Sequence, residues 1–422
     1  MTTKLKTYPH YKSSGIDWLG ELPSHWDSSK LKFVGDARNG LTYAPDDICD
    51  EDNGILVLRS SNIQNDALIF KDNIYVNKDI NDLLMNEGDI LICSRNGSAS
   101  LIGKCAIIPK GVNATFGAFM MRYRSKLNTR FTLYLIRTTL NNYKHLYSTS
   151  TINQLTNATL GNMQVPLPPK EEQEAIAGYL DEVSAKVGSL IAEKQAQVED
   201  LRKYRTSLIT ETVTRGLNPN VTLRPSGIDW LGNIPDHYQL IRLKYLCDIK
   251  TGDKDTIMRN PEGQYPFYVR SPKVERINTY SYDGEAVLMA GDGVGAGKVL
   301  HYVNGKFDYH QRVYNIHNIS SILPKLLYYY LKETFKYKIE EGLAKSTVDS
   351  VRLPWLKDFP IVIPTDSEQQ QIVDYLDEKT AKIDALIEEL EAQLSDLATY
   401  KQAVITEAVT GKVDVRDWTP KS

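Results

Sequence analysis

Apolar residues recur in alternating steps of three and four along two long stretches of the chain, residues 168–216 and 364–416. This spacing puts them on one narrow stripe of an α-helix, which is the pattern of a coiled-coil seam. A helix over residues 171–213 would be about 65 Å long, too long to lie alone on a surface. The pattern therefore predicts that the two helices pack together. The residues expected in the seam are Ile176, Leu180, Val187, Leu201, Tyr204, Ile372, Leu376, Ile383, Leu390, Leu397 and Tyr400.

The two stretches are also copies of one sequence. A proline, a Glu-Gln pair and a Tyr-Leu-Asp-Glu run each recur 196 residues later, starting at Pro168 and Pro364, Glu172 and Glu368, and Tyr179 and Tyr375. The constant offset excludes insertions and deletions, as expected of a helix in which a slip would rotate the packing face. Pro169 and a capping box of Thr365 with Glu368 predict the helix starts, and Gly216 and Gly411 predict the ends.

A second repeat precedes each helix. The segment from Ser14 to Trp26 recurs as Ser226 to Tyr238, with an offset of 212 residues. The chain is therefore a tandem duplication of a short lead, a variable globular region and a long helix. We predict four parts: a lead with the first globular domain (1–167), the first helix (168–216), a lead with the second domain (217–363) and the second helix (364–416).

The globular regions have the pattern of mixed α/β domains, which makes the whole chain α+β. Short apolar runs bounded by Asn, Gly and Pro predict strands at residues 55–58, 89–93 and 104–108, and residues 131–140 have a helical pattern. The second region repeats this order, with strands expected at 286–289 and 298–300 and a helix at 324–332. The scaffold is thus shared, while its middle has diverged in sequence.

Composition predicts two to three domains for the 422 residues and excludes a membrane span. The four cysteines have no Cys-x-x-Cys spacing, so we expect reduced thiols and a cytoplasmic protein. The start of the chain lacks the apolar run of a signal peptide.

Positive charge is concentrated in one part of the first domain, although the net charge is −3. Residues 90–170 contain no Asp or Glu, yet they contain Arg95, Lys104, Lys110, Arg122, Arg124, Lys126, Arg130, Arg137, Lys144 and Lys170. Such a half-domain has a positive field suited to phosphates. The alternative is that some of these residues form ion pairs with the acids of residues 46–89.

Polar side chains on loops are the candidates for contacting nucleic acid, because Arg, Lys, Asn and Gln read base edges and phosphates. The candidates are Arg59, Asn62, Arg95, Asn96, Lys104, Arg122 and Arg124 in the first half, and Arg270, Lys273, Lys298, His310, Gln311, Arg312 and Lys345 in the second.

Catalytic and cofactor motifs are absent from the sequence. The glycine-rich run from Gly291 to Lys298 lacks the spacing of a phosphate-binding loop, and Val299 stands where that loop needs Ser or Thr. The histidines have no cysteines or carboxylates at metal-ligand spacing, so we expect no metal site. We also find no motif for amino-group methylation and no nuclease carboxylate cluster, and we expect no catalytic residues and no cofactor in this chain.

With both repeats in view, the chain resembles the specificity subunits of type I restriction-modification enzymes. The resemblance rests on the Ser-Gly-Ile-Asp-Trp-Leu-Gly lead and on the Pro-Pro-x-x-Glu-Gln start of each helix; Thr365 replaces the second proline in the second copy. It implies two target-recognition domains, residues 27–167 and 239–363, that read the halves of a bipartite, asymmetric double-stranded DNA target. It also implies an antiparallel coiled coil between them that binds two modification subunits.

The resemblance further implies that the modification subunits methylate adenine with S-adenosylmethionine. It also implies that ATP- and Mg-dependent restriction subunits join the complex. One other class stays open on the residues alone: a coiled-coil scaffold with two protein-binding domains and no role on DNA. A stand-alone methyltransferase is not supported, because the sequence lacks any cofactor motif.

Overall fold

The computed structural model describes residues 6–64, 66–80, 82–147, 154–343 and 350–419. The chain divides into two compact units, Met1–Glu193 with Leu394–Ser422, and Lys194–Gln393. Each unit contains one globular region and a part of each long helix.

The helices of the described residues include two that are far longer than the others. In chain order they are α1 (Leu31–Val34), α2 (Thr129–Asn142), α3 (Asn157–Asn162), α4 (Lys170–Arg215), α5 (Pro324–Leu343), α6 (Leu353–Lys357) and α7 (Asp366–Val409). Short 3-10 turns lie at Pro45–Asp47, Glu51–Asn53, Ser60–Asn62, Ala99–Leu101, Lys144–Leu146, Leu243–Tyr245 and Thr256–Met258.

Eight of the strands described in the first unit form two small four-stranded sheets, and the other six form two-stranded pairs. The strands are β1 (Tyr11–Ser13), β2 (Glu21–Pro23), β3 (Asp27–Lys30), β4 (Gly35–Asn39), β5 (Ile48–Cys49), β6 (Ile55–Leu58), β7 (Ile63–Gln64), β8 (Ala67–Leu68), β9 (Tyr75–Val76), β10 (Ile90–Cys93), β11 (Cys105–Ile107), β12 (Ala114–Phe116), β13 (Met120–Ser125) and β14 (Gln164–Leu167). The sheet orders are β11-β10-β13-β4 and β12-β6-β9-β5.

The second unit is built on one six-stranded sheet of order β18-β23-β21-β22-β19-β20. The strands described in this unit are β15 (Leu223–Pro225), β16 (Asn233–Pro235), β17 (Gln239–Arg242), β18 (Asp248–Thr251), β19 (Tyr265–Tyr268), β20 (Glu275–Ile277), β21 (Tyr282–Ala290), β22 (Leu300–Tyr309), β23 (Val313–His317) and β24 (Pro360–Ile363). Outside the six-stranded sheet, β15 pairs with β16 and β17 with β24. The core lies between this sheet and α5, where Leu327 and Leu331 pack with Val287 and Met289.

The predicted long helices are confirmed, and they end at Arg215 and Val409, one and two residues before the predicted glycines. Gly216 and Gly411 have φ angles of 77° and 69°, which are costly for residues with a Cβ. A Cβ on Gly216 would lie 2.2 Å from the Tyr238 hydroxyl. The predicted mixed α/β order is confirmed too, although β22 continues to Tyr309, well beyond the short strand that the sequence predicted.

The helices pack antiparallel within each unit, as a coiled coil requires. In the first unit the start of α4 meets the end of α7, where Ile176 and Leu180 are buried with Val404 and Val409. In the second unit the end of α4 meets the start of α7: Arg205 Nε donates to Asp384 Oδ1 at 2.8 Å, and Arg202 Nη2 to Glu391 Oε1 at 2.6 Å.

The expected seam is buried at six of its eleven positions. Ile176, Leu180, Val187, Ile372, Leu376 and Ile383 are buried, and Leu201, Leu390 and Leu397 are half-buried. Tyr204 and Tyr400 are 56% and 49% exposed. The seam prediction was therefore wrong for the rings of Tyr204 and Tyr400, which are largely exposed to solvent.

The repeated Glu-Gln pair joins the lead to the helix start. In the first unit the buried Glu172 carboxylate accepts hydrogen bonds from Trp26 Nε1 at 2.9 Å and the Tyr8 hydroxyl at 2.8 Å, and lies 2.6 Å from His25 Nε2. In the second unit Glu368 takes the equivalent position. The lead histidines, His25 and His237, therefore have a structural role at this junction.

The equivalent contacts of Glu368 are made with His237 Nε2 and the Tyr238 hydroxyl, both at 3.2 Å. Gln173 and Gln369 complete the junction by accepting backbone N–H groups at the starts of the domain helices, from Asn128 at 3.0 Å and Leu323 at 2.7 Å. The repeated lead segment and Glu-Gln pair thus fix each globular region to its helix.

Candidate nucleic-acid interface

A tight turn between β12 and β13 presents an exposed aromatic ring in the first unit. Phe119 at the tip of this turn is 59% exposed. Its carbonyl accepts the backbone N–H groups of Ser94 and Arg95, at 2.9 and 3.1 Å. The Arg95 guanidinium lies over the ring, 5.3 Å from its centroid, in a cation–π contact. The turn therefore carries a cation and an apolar ring side by side.

Beside this ring is a cavity of about 480 Å³ whose lining is mainly apolar with a few hydroxyl groups. Arg59 lies at its edge, and its guanidinium donates to the Asp72 carbonyl. Asn96 Nδ2 donates to Ser60 Oγ at 3.4 Å. The lining residues are Leu41, Thr42, Tyr43, Arg59, Ser60, Ser61, Gly117, Ala118, Phe119 and Met120. Three predicted candidates, Arg59, Arg95 and Asn96, are thus brought together.

The corresponding place in the second unit is charged. Asp292 accepts a hydrogen bond from Arg270 Nη1 at 3.0 Å, and its other oxygen lies 3.7 Å from Arg312 Nε. Gln311 Nε2 donates to Asp255 Oδ2 at 3.1 Å. Three further predicted candidates, Arg270, Gln311 and Arg312, therefore gather around two carboxylates that sequence reasoning did not select.

The two sites are equivalent because the same backbone hydrogen bonds build both. In each unit, the carbonyl at the end of the turn accepts the backbone N–H of the residue that directly follows β10 or β21. The backbone N–H at the start of the turn donates to a carbonyl on β6 or β19. The pairs are Ser94 N to Phe119 O with Gly291 N to Arg312 O, Gly117 N to Leu58 O with His310 N to Tyr268 O, and Leu155 N to Ser94 O with Val351 N to Gly291 O. Phe119 and Arg312 therefore occupy one position of a shared scaffold.

Three predicted candidates are buried, which corrects the exposure expected of them. Asn62 is fully buried, and its Nδ2 donates to the Ile69 carbonyl at 3.1 Å. His310 is 3% exposed and its Nδ1 accepts the Arg312 N–H at 3.0 Å. These side chains hold the loops in shape and do not face solvent.

Arg122 is the third buried candidate. It lies on β13 with a side chain that is 3% exposed, and its Nη2 is 3.0 Å from Asp36. Burial lowers the pKa of its guanidinium. Its neighbour Arg124 is more exposed, but both its Nε and Nη2 donate to the buried Asp89, each at 2.7 Å. Both arginines therefore stabilise the sheet.

The remaining candidates lie on the surface or outside the described residues. Lys298 and Lys273 are exposed, and Lys104 is half-buried at the end of the turn that follows β10. Lys345 lies outside the described residues.

Part of the positive charge of residues 90–170 is neutralised within the fold. Besides Arg122 and Arg124, Arg130 pairs with Asp181 at 2.5 Å and Arg137 with Asp66 at 2.6 Å. The predicted pairing with the acids of residues 46–89 holds for Arg124 and Arg137, whereas Arg122 and Arg130 pair with Asp36 and Asp181 outside that range. Arg95, held by an aromatic ring, is a cation of the same stretch that stays at the candidate interface.

Sequence reasoning missed Phe119 because only hydrogen-bonding side chains were sought. The available signal was a phenylalanine directly after Gly117 and Ala118, where a tight turn leaves its ring largely exposed. Across the described ranges, no group of three or more His, Cys, Asp or Glu side chains is placed to hold a metal ion. No helix within those ranges is long and apolar enough to cross a membrane.

The chain thus contains one α+β scaffold twice, with turns that differ in their side chains. The model of the type I restriction modification DNA specificity domain matches residues 23–200 and 235–396. The two matches cover most of the chain, and the chain belongs to this family.

Curated relatives carry the same description. The chain is 33% identical over 187 residues to the type I restriction enzyme EcoDI specificity subunit of Escherichia coli, a match that covers 44% of this chain and 41% of that one. It is 22% identical over 420 residues to the StySPI specificity subunit of Salmonella potsdam, covering 93% and 90%. The chain thus spans less than half of the first relative and nearly all of the second.

The fold also has a solved counterpart. A chain from a structure concerned with complex assembly and conformational transition of the type I R-M system superposes with a TM-score of 0.69 at 18% identity. The alignment covers 93% of this chain and 99% of that one. At this identity the likeness shows a common fold.

Proposed function

We propose that this chain is the DNA-specificity subunit of a type I restriction-modification complex and that it reads a bipartite, asymmetric target. The observation that carries the proposal is one turn scaffold, built twice by the same hydrogen bonds, with an aromatic ring in one unit and an arginine cluster in the other. Equal scaffolds with unequal tips are what two different half-sites require.

The modification subunits dock on the long helices in this proposal. Each unit has a tyrosine and a leucine that are about half-exposed on α4 and α7: Tyr204 with Leu386 in the second, and Tyr400 with Leu190 in the first. Tyr204 and Leu386 line one cavity of about 540 Å³. Exposed apolar side chains at positions 196 residues apart support two copies of one partner.

The chemistry belongs to the partners in this proposal. The modification subunits supply adenine methylation from S-adenosylmethionine, and restriction subunits supply ATP- and Mg-dependent action on DNA. This chain is non-catalytic, holds no cofactor and works in the cytoplasm. Its contribution is the choice of the DNA sequence.

The test is duplex binding by the complex with its modification subunits, measured across a series of salt concentrations. We expect the logarithm of affinity to fall steeply with the logarithm of salt, because phosphate contacts release counterions. Lys298→Ala should reduce the slope by about 1. The matched control is Lys306→Ala, an exposed lysine on β22 whose strand partner, Asp283, lies at the other end of β21 from Gly291.

Binding that is absent, or independent of salt, would contradict the proposal. The rival class, a scaffold with two protein-binding domains, predicts that outcome. Binding of S-adenosylmethionine by the isolated chain would instead revive the stand-alone methyltransferase.

A further inference from the structure

We propose that the position shared by Phe119 and Arg312 determines one base pair in each half-site. Arg312 would select guanine, and Phe119 would select thymine through its methyl group. This inference rests on the proposed function and adds to it the residues and bases that make the halves different.

Arg312 is held in a form suited to guanine. Its backbone is fixed at both groups, because its N–H donates to His310 Nδ1 at 3.0 Å and its carbonyl accepts from Gly291 at 2.8 Å. The nearest side-chain nitrogen to Asp292 is Nε, at 3.7 Å, and the side chain is 65% exposed. The two terminal nitrogens are thus left for the paired acceptors O6 and N7 of guanine.

The neighbouring charges favour Arg312 over Arg270 as the reading residue. Arg270 Nη1 is bonded to Asp292 at 3.0 Å, and its side chain is 46% exposed. Asp292 is 26% exposed and lies between the two guanidinium groups. A carboxylate at this place orients both arginines and repels the phosphate backbone, so the tip of Arg312 is directed to a base edge.

Phe119 presents the opposite chemistry at the same position. Its ring has no hydrogen-bonding atoms, is 59% exposed and is covered on one face by Arg95 at 5.3 Å. The adjoining cavity is lined by Leu41, Tyr43 and Met120 along with the turn. An apolar ring beside an apolar cavity matches the C5-methyl of thymine, which phenylalanine contacts in the major groove.

The experiment maps methylated adenines in the genome of a host that expresses the modification subunit with the wild-type chain or a variant. For Arg312→Ala we expect one G·C position in one half-site to relax, with preference falling about 5- to 150-fold. For Phe119→Ala we expect a T·A position to relax in the other half. Both side chains are exposed, so their removal leaves no cavity in the core.

Arg312→Gln gives a test that a folding defect cannot imitate. Glutamine pairs with adenine at N6 and N7, so we expect the relaxed position to change its preference from guanine to adenine. The matched controls are Arg242→Ala, with a side chain 61% exposed, and Phe33→Ala, 64% exposed. Neither lies at the turn, and both should keep the wild-type motif.

The outcomes separate the inference from the proposed function. A wild-type complex that methylates no bipartite motif overturns both. A bipartite wild-type motif that is unchanged in Arg312→Ala and Phe119→Ala overturns the inference alone. Weaker methylation with no change in base preference also overturns it, because the residues would then only position the DNA backbone.

Discussion

Asn315 is a buried side chain whose amide is left without partners. It lies on β23 opposite Leu288, and it is fully buried on a face formed by Ala286, Leu288 and Val313. Neither its Oδ1 nor its Nδ2 has a hydrogen-bond partner. A buried polar group without partners costs about 1–3 kcal/mol.

Asn315→Val should therefore raise the free energy of unfolding by about 1–2 kcal/mol, since valine suits a buried strand and removes the unpaired amide. Urea denaturation of the chain measures this. Asn315→Asp is the opposing variant and should destabilise, because it buries a charge. A loss of stability in Asn315→Val would show that the amide has an interaction that the valine cannot replace.

His310 predicts a pH dependence. Burial lowers its pKa, so the imidazole is neutral near pH 7 and accepts the Arg312 N–H. The unfolded state binds a proton more readily, with a pKa of about 6.5. The stability contributed by neutral His310 is present above that pKa and is lost as pH falls through the lower folded pKa.

We expect the free energy of unfolding to fall between pH 7.5 and 5.5, and to fall less steeply in His310→Gln, which keeps an acceptor that does not titrate. Denaturation curves at several pH values check this. His145→Gln, at an exposed site, is the control and should leave the slope unchanged. An equal slope in His310→Gln and wild type would exclude His310 as its source.

The junction between lead and helix is the main device at the scale of elements. Glu172 is 7% exposed and serves two donors and a histidine. Glu172→Gln keeps the shape but removes the charge, so we expect a loss of about 2–3 kcal/mol, the range for hydrogen bonds to charged groups with burial. Glu171→Gln, one residue earlier and exposed, should cost little. Equal losses in the two variants would mean that the junction does not depend on this carboxylate.

Elements were more predictable than the site. The long helices could be predicted because a stripe at fixed spacing is a local property of the sequence. The hydrogen bond between Glu172 and Trp26 could not be predicted, because the two residues are 146 positions apart in the sequence. Only the folded chain brings them together. Arg122 was misassigned for a similar reason: its face of β13 depends on pairing with β4, which places it beside Asp36.

At the scale of the whole molecule, the proposed function assigns the gap between half-sites to the helix pair. Seven residues inserted after Val198 in α4, with seven after Glu389 in α7, preserve the coiled-coil repeat and add about 10 Å. We expect both half-sites unchanged and a gap longer by up to about three base pairs, at 3.4 Å each. The motif methylated in a host genome measures it.

The control for this insertion changes α4 alone. It shifts the register of Arg205 against Asp384, so we expect lower stability and weak methylation. An unchanged gap in the paired variant would mean that the helices do not set the spacing.

The most direct test of the central claim is the map of methylated adenines in a genome whose host carries this chain with its modification subunit. The account predicts one motif of two unequal specified blocks, separated by an unspecified gap of fixed length, because two units with different turn tips read it. A single continuous block, or two identical blocks, would contradict the account.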